Sequence, residues 1–168
     1  MAGPDEPGGC EVVLQNPCDY PEPEAPELAR WLERLVAELA PGATSFAVRF
    51  ASDREVRRLN RAFRGRDQPT DVLSFPGDMT PEGRHLGDVV IAVPVARRQA
   101  AAAGHPAARE LRLLLLHGVL HCLGHDHETD GGAMARLEAE LRERWLPDPG
   151  DAEAPGPAAA AGPGVGDA

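Results

Sequence analysis

The chain has 168 residues, the size of one ordinary domain, and 42% of them are hydrophobic, so it can bury a core. Its formal charge of −10 comes from the ends: residues 1–30 hold seven acids and one arginine, residues 147–168 hold four acids and no base, and residues 31–146 hold sixteen of each. An evenly acidic chain would speak against a nucleic-acid partner, but a neutral body between acidic ends does not. Three cysteines without a C-x-x-C spacing suggest neither a disulfide framework nor a thiolate zinc site, and fit a reducing cytosol. The opening MAGPDEPGG lacks the basic and apolar regions of a signal peptide, and the longest aliphatic run, residues 113–116, is far below the ~18 residues a membrane span needs. A cytoplasmic protein with no membrane partner is expected.

Residues 1–10, rich in Pro, Gly and acids, read as a flexible N-terminus, and residues 11–15 (EVVLQ) as a short β-prone run. From Pro26, Leu28, Leu32, Leu35, Val36 and Leu39 recur at helical spacing until Pro41-Gly42 stops them. Residues 45–51 (SFAVRFA) alternate as a half-buried strand does. Ser52 and Glu55 then form an S-x-x-E capping box for a helix whose buried side is marked by Val56, Leu59 and Phe63. Residues 65–70 break the pattern. A strand is expected at 71–75 (DVLSF), a loop at 76–86 and a buried strand at 87–93 (GDVVIAV). A helix over 94–103 ends at Gly104, Pro106 opens the next, and Met134 is a core residue of the last. Residues 147–168, with almost nothing large to bury, read as a disordered acidic Pro/Ala/Gly tail. One domain over residues 11–146 is therefore expected. Strands and helices do not alternate strictly and the last third is helical, so the fold class is α+β: a small mixed sheet of three to four strands packed with four to five helices.

Residues 111–124 (LRLLLLHGVLHCLG) are apolar on nearly every face after Arg112, which marks a helix surrounded by protein. His117 and His121 are four apart, about 40° from each other around the helix axis, so both imidazoles stand on one face. Gly124 offers a residue able to take positive φ, turn the chain back and bring His127 toward the same point. Three imidazoles with an open fourth position are the donor set of a catalytic zinc, one ion per chain, whereas structural zinc sites are usually closed and rich in Cys. His125 is a fourth candidate within the loop, with a surface or substrate-facing role as the alternative. A lone histidine would be read as a hydrogen-bonded core residue; three at this register point to metal.

The spacing matches the H-E-x-x-H-x-x-G-x-x-H of metzincin proteases at its histidines and glycine, but Gly118 occupies the place of the catalytic Glu. A glycine cannot take a proton from water, so peptidase chemistry by that route is not expected. The string HGVLHCLGHDH resembles instead the HGxLHLxGYDH signature of the YbeY family of bacterial rRNA maturation factors and endoribonucleases, with Cys122 in place of an aliphatic residue and His125 in place of Tyr. NRAFRGRDQPTDVLSF (60–75) and LGDVVI (86–91) resemble further segments of the same family, so the likeness spans roughly residues 28–146, in order.

The resemblance implies a zincin-like α+β fold with the metal site on a buried helix. It also implies a zinc-dependent, single-strand-preferring endoribonuclease acting in maturation of the small-subunit (16S) rRNA 3′ end and in ribosome quality control. Ribosomal RNA and ribosome-assembly factors, rather than DNA, would be its partners. Position by position, it makes His117, His121 and His127 the zinc ligands and Arg64 the family arginine implicated in activity.

The residues supply chemistry compatible with this. Residues 49–66 hold seven Arg against two acids, and Arg64 and Arg66, flanking Gly65 at the start of a loop, are placed to hold a phosphate by paired hydrogen bonds. Arg54, Arg57, Arg58 and Arg61 read equally well as a solvated helix face. Asp126, beside the third histidine, is the candidate to orient an imidazole or accept a proton, or alternatively to cap loop amides; Asp88 is a further candidate for the same work. Asp71 is either a turn residue or a contact. Three readings follow: a metal-dependent nuclease, a non-catalytic zinc-stabilised ribosome-assembly factor that binds RNA, and, more distantly, a metalloprotease. If the tail carries no packing, truncation after Leu146 leaves the melting temperature within a few degrees of the full chain, as differential scanning calorimetry would read directly.

Overall fold

The computed structural model describes residues 9–24, 26–125 and 131–146; residues 1–8 of the expected flexible start (1–10), the tail (residues 147–168), Asp126 and His127 lie outside them. In chain order the elements are β1 (Glu11–Gln15), a 3-10 turn (Glu22–Glu24), α1 (Pro26–Leu39), β2 (Ala43–Ala51), α2 (Asp53–Arg64), β3 (Val72–Pro76), β4 (Met79–Thr80), β5 (Gly83–Ala92), α3 (Val93–Ala103), α4 (Ala107–Cys122) and α5 (Ala133–Trp145). The class is the α+β expected. The described residues hold five strands rather than three or four, because residues 79–80 and 83–86 of the expected loop fold back as a hairpin, with Met79 opposite Arg84. None of the described helices is long and apolar enough to cross a membrane.

The sheet runs β1-β2-β5-β3, with β4 also paired to β5. β1, β2 and β5 are mutually parallel, while β3 and β4 run antiparallel to β5. Side chains of successive strand residues leave opposite faces, and the composition of each face follows. Val89 and Ile91 of β5, with Phe46, Val48 and Phe50 of β2, meet the apolar faces of α1, α4 and α5. Val90 and Ala92 face the other way, to a smaller cluster built with Leu73 and Val56 of α2. The sheet thus has α2 on one face and α1, α4 and α5 on the other, with α3 packed against α4, and β3, at its edge, separates α2 from α4.

Local rules place the two helices that matter. Ser52 caps α2 by accepting the Glu55 N–H at 3.1 Å, as the capping box predicts. Phe63, expected on the buried side, is 68% exposed instead. It falls in the last turn of α2, where the smaller cluster has run out, and it keeps one edge-to-face contact with Phe75, ring centroids 5.7 Å apart. Met134 is fully buried, as expected of a core residue. α1 and α5 are joined by Trp31, whose indole N–H donates to the Trp145 carbonyl at 3.1 Å and whose ring meets that of Trp145 edge-on.

α4 lies unusually close to the sheet at Gly118. A Cβ there would sit 2.8 Å from Val89 Cγ2, 3.0 Å from Val89 Cγ1 and 3.3 Å from Ser74 Oγ, so the absence of a side chain is what lets the helix seat. Gly118→Ala is therefore expected to cost about 1–3 kcal/mol by overpacking, although alanine is the better helix former. Urea denaturation of the two proteins checks this, and equal or higher stability for the alanine variant would contradict the close approach.

Candidate metal centre and adjoining cleft

The i, i+4 pair on α4 meets as its spacing requires. The Nε2 atoms of His117 and His121 are 3.0 Å apart and their ring centroids 4.5 Å. Two imidazole nitrogens bound to one zinc at about 2.0–2.1 Å and a tetrahedral angle stand about 3.3 Å from each other, so this pair fits a shared ion. On the far side of His117, Nδ1 lies 3.4 Å from Glu138 Oε1 of α5. An Nδ1–H donated to that carboxylate leaves Nε2 with its lone pair toward the metal and fixes the ring's orientation. Glu138 is absent from the sequence reading. Its only signal is a carboxylate on the buried side of the last helix, and nothing in the sequence says which helix it meets. With His127 outside the described residues, no group of three or more metal-ligating side chains is found among those described.

α4 ends as its glycine allows. Gly124 has φ of 99° and donates its N–H to the His121 carbonyl at 2.9 Å, and the His125 N–H reaches back to the Leu120 carbonyl at 3.1 Å. These bonds hold His125 against the end of the helix. Cys122, the family's aliphatic position, is 5% exposed with its Sγ 3.9 Å from the Phe75 carbonyl. Burial, with a smaller contribution from Asp88, pushes its thiol up to about 12. It remains protonated at neutral pH, so it serves as packing rather than as a thiolate ligand.

The second half of the site comes from α2 and the loop after it. Asn60, 4% exposed, donates its side-chain N–H to the Gln68 carbonyl at 3.0 Å, and its own carbonyl accepts the Arg66 N–H at 3.3 Å. Arg57 adds an ion pair to Asp67 at 2.8 Å. The loop that carries Arg66 is therefore clasped to α2 at three points. Arg64 is exposed. Its Nη2 donates to the Ser74 carbonyl on the outer side of β3 at 2.8 Å, and its guanidinium carbon lies 6.0 Å from the centre of the Phe75 ring. A cleft of about 550 Å³ lies between these groups, lined by Asn60, Arg64 and Arg66 on one side and by His121, Gly124 and His125 on the other.

Of the residues singled out by sequence, Arg64, Arg66, His121 and His125 thus share one cleft, and His117 touches His121. Asp126 and His127 are outside the described residues. Asp71 is a structural residue here: its carbonyl accepts the Ala92 N–H at 2.9 Å and its carboxylate accepts from Gln99 Nε2 at 3.2 Å. The Asp88 carboxylate lies 3.1 Å from His85 Nε2.

A helix bearing two adjoining histidines, one of them lining a cleft, seated on a mixed sheet whose edge strand is met by an arginine of α2, defines an α+β protein with no carboxylate between those histidines. Comparison with known proteins makes the class specific. Residues 16–145 match the family model described as endoribonuclease YbeY. The chain is 49% identical over 119 residues to the endoribonuclease YbeY of Solibacter usitatus, covering 71% of this chain and 78% of that one. It is 40% identical over 148 residues to that of Halorhodospira halophila, covering 83% and 95%. The solution structure of TM1509 from Thermotoga maritima superimposes with a TM-score of 0.53 at 26% identity, over 80% of this chain and 89% of that one. The chain belongs to the YbeY family.

Two substitutions test the metal centre. His121→Ala is expected to abolish tight binding of one zinc per chain. Glu138→Ala is expected to weaken it about 10- to 100-fold, the effect of removing the group that orients a ligand. Metal analysis after dialysis against a competing chelator reads both; full zinc retention in His121→Ala would remove the centre from α4.

Proposed function

We propose that this protein is a zinc-dependent endoribonuclease with a preference for single-stranded RNA. It acts in the cytoplasm on ribosomal RNA, in maturation of the 3′ end of small-subunit (16S) rRNA and in ribosome quality control, together with ribosome-assembly factors. The observation that carries this reading is the shared cleft, which brings Arg64 and Arg66 to the same space as His121, one of the two adjoining histidines of α4. Family membership and the names of the relatives support the same activity.

His117, His121 and His127 would hold the zinc, one ion per chain. Zinc, when bound, supplies Lewis acidity at a phosphoryl oxygen and a lowered pKa for water. The chain's own residues do the rest. Arg64 and Arg66 neutralise a phosphodiester and orient it by charge-assisted hydrogen bonds. The clasp from Asn60 fixes the loop before substrate arrives, so little ordering remains to be done on binding. Glu138 holds the His117 ring. Asp126 is assigned the proton-accepting role, because α4 offers no carboxylate between its two histidines: that place is Gly118, closed against Val89. The same closure disfavours the peptidase reading. The bare helix position is also what a non-catalytic assembly factor would tolerate, and RNA cleavage separates the two.

The test is to incubate zinc-loaded and chelated protein with ribosomal RNA, single-stranded and duplex oligonucleotides and a peptide library, and to map the ends produced. Cleavage of unpaired RNA by the zinc form alone is expected; RNA binding without new ends would make the protein an assembly factor, and cut peptides would make it a protease. Arg64→Ala is expected to keep its zinc and its melting temperature while cleavage falls about 10- to 100-fold, the worth of one hydrogen bond to a charged group, with the loss shrinking as salt rises. Wild-type rates at low salt would remove Arg64 from the site.

A further inference from the structure

The face of α2 turned away from the sheet carries Arg54, Arg57, Arg58 and Arg61, at helical positions i, i+3, i+4 and i+7, all exposed. They form a stripe about 10 Å long. Arg98 of α3 reaches the same place from a second element, and together the five line a hollow of about 630 Å³. Two carboxylates share it. Asp67 pairs with Arg57 at 2.8 Å and with Arg61 at 4.0 Å, and Asp53 pairs with Arg98 at 3.1 Å. Glu55, on the same helix, is engaged by Arg49 at 2.8 Å and reaches Arg58 at 3.9 Å. Five guanidinium groups against the two carboxylates of the hollow leave an excess of three positive charges on a chain whose formal charge is −10.

A solvated helix face accounts for arginines at this spacing. It does not account for their convergence with an arginine of another helix, nor for where the hollow lies. Pro69 is a wall of both the arginine hollow and the cleft that holds Arg64, Arg66 and His121. The two concavities are neighbours across one loop, so positive charge continues from the metal centre over that loop and along α2.

We infer that the α2 stripe is a second site for the RNA backbone, taking the phosphates of the strand on one side of the scissile bond, several nucleotides from the metal. This rests on the RNA reading above and extends it: the substrate is a single strand longer than the cleft, held on its sugar-phosphate chain without regard to base. The hollow offers guanidinium groups and no aromatic ring, so it reads charge and not sequence.

The experiment is fluorescence anisotropy of zinc-loaded protein with unstructured RNAs of about four and about sixteen nucleotides, across a salt series, with RNA integrity checked afterwards. The variants are Arg54→Gln/Arg57→Gln/Arg58→Gln/Arg61→Gln and Arg54→Gln/Arg58→Gln. The second leaves both partners of Asp67 in place and so leaves the loop clasped; thermal melts confirm that each folds. For the longer RNA the slope of log affinity against log salt should fall by about 2 to 3 in the fourfold variant and by about 1.4 in the double one. Affinity of the double variant, whose loop clasp is intact, for the short RNA should stay within about twofold. Unchanged slopes for the longer RNA, or an equal loss for both lengths in the double variant, overturns the second site. If the wild-type protein binds neither RNA, the RNA reading itself falls and this inference falls with it.

Discussion

The close seating of α4 on the sheet is the constraint from which the rest of the site follows. Gly118 lies against Val89 and Ser74 with no room for a methyl group, so α4 and the β3–β5 pair form one rigid unit. The histidines at positions 117 and 121 flank that contact and inherit its rigidity, and the end of the helix delivers His125 to a fixed place over the edge of the sheet. The same contact decides the chemistry. The H-E-x-x-H proteases carry a carboxylate between their two histidines, and here that position is occupied by the packing that holds the helix down.

Opposite that unit stands a second one built on a different principle. α2 is held less by buried area than by its cap at Ser52 and by the polar clasp of Asn60 on the following loop. Asn60 is one of few buried polar residues among those described, and both its side-chain N–H and its backbone carbonyl are directed to the loop. A buried amide placed so makes one loop conformation much cheaper than its alternatives, since each lost bond would leave a polar group unsatisfied. The cleft is thus bounded by a wall fixed by apolar packing and a wall fixed by hydrogen bonds.

The sequence makes one of these walls plain and hides the other. Two histidines four apart on an otherwise apolar helix, followed by a glycine, are legible because helical periodicity alone places them together. So is the glycine that stands where a base is expected. Glu138 is not legible, because its role depends on α5 crossing α4, a long-range contact that no local pattern encodes. Asn60 reads as one more polar residue in an arginine-rich stretch until its partners in the loop are seen. Phe63 fits the apolar period of α2 yet is exposed, because the helix outruns the surface it packs on. The strand pairing of residues 79–86 is hidden for a similar reason: Pro81 and Gly83 mark a turn within that stretch, and the polar residues on either side of it owe their strand conformation to the pairing of β4 with β5.

The position of Arg64 carries a consequence for the protein's solubility. β3 is an outer strand, and every second residue of such a strand turns its backbone groups toward solvent, where they can template pairing with another chain. The Ser74 carbonyl is one of these groups and the Arg64 guanidinium occupies it, while Pro76 closes the strand with a residue that has no N–H to offer. A charged side chain and a proline are devices by which sheet proteins keep their edges from joining. The arginine that lines the cleft thus also guards the chain against self-association along β3.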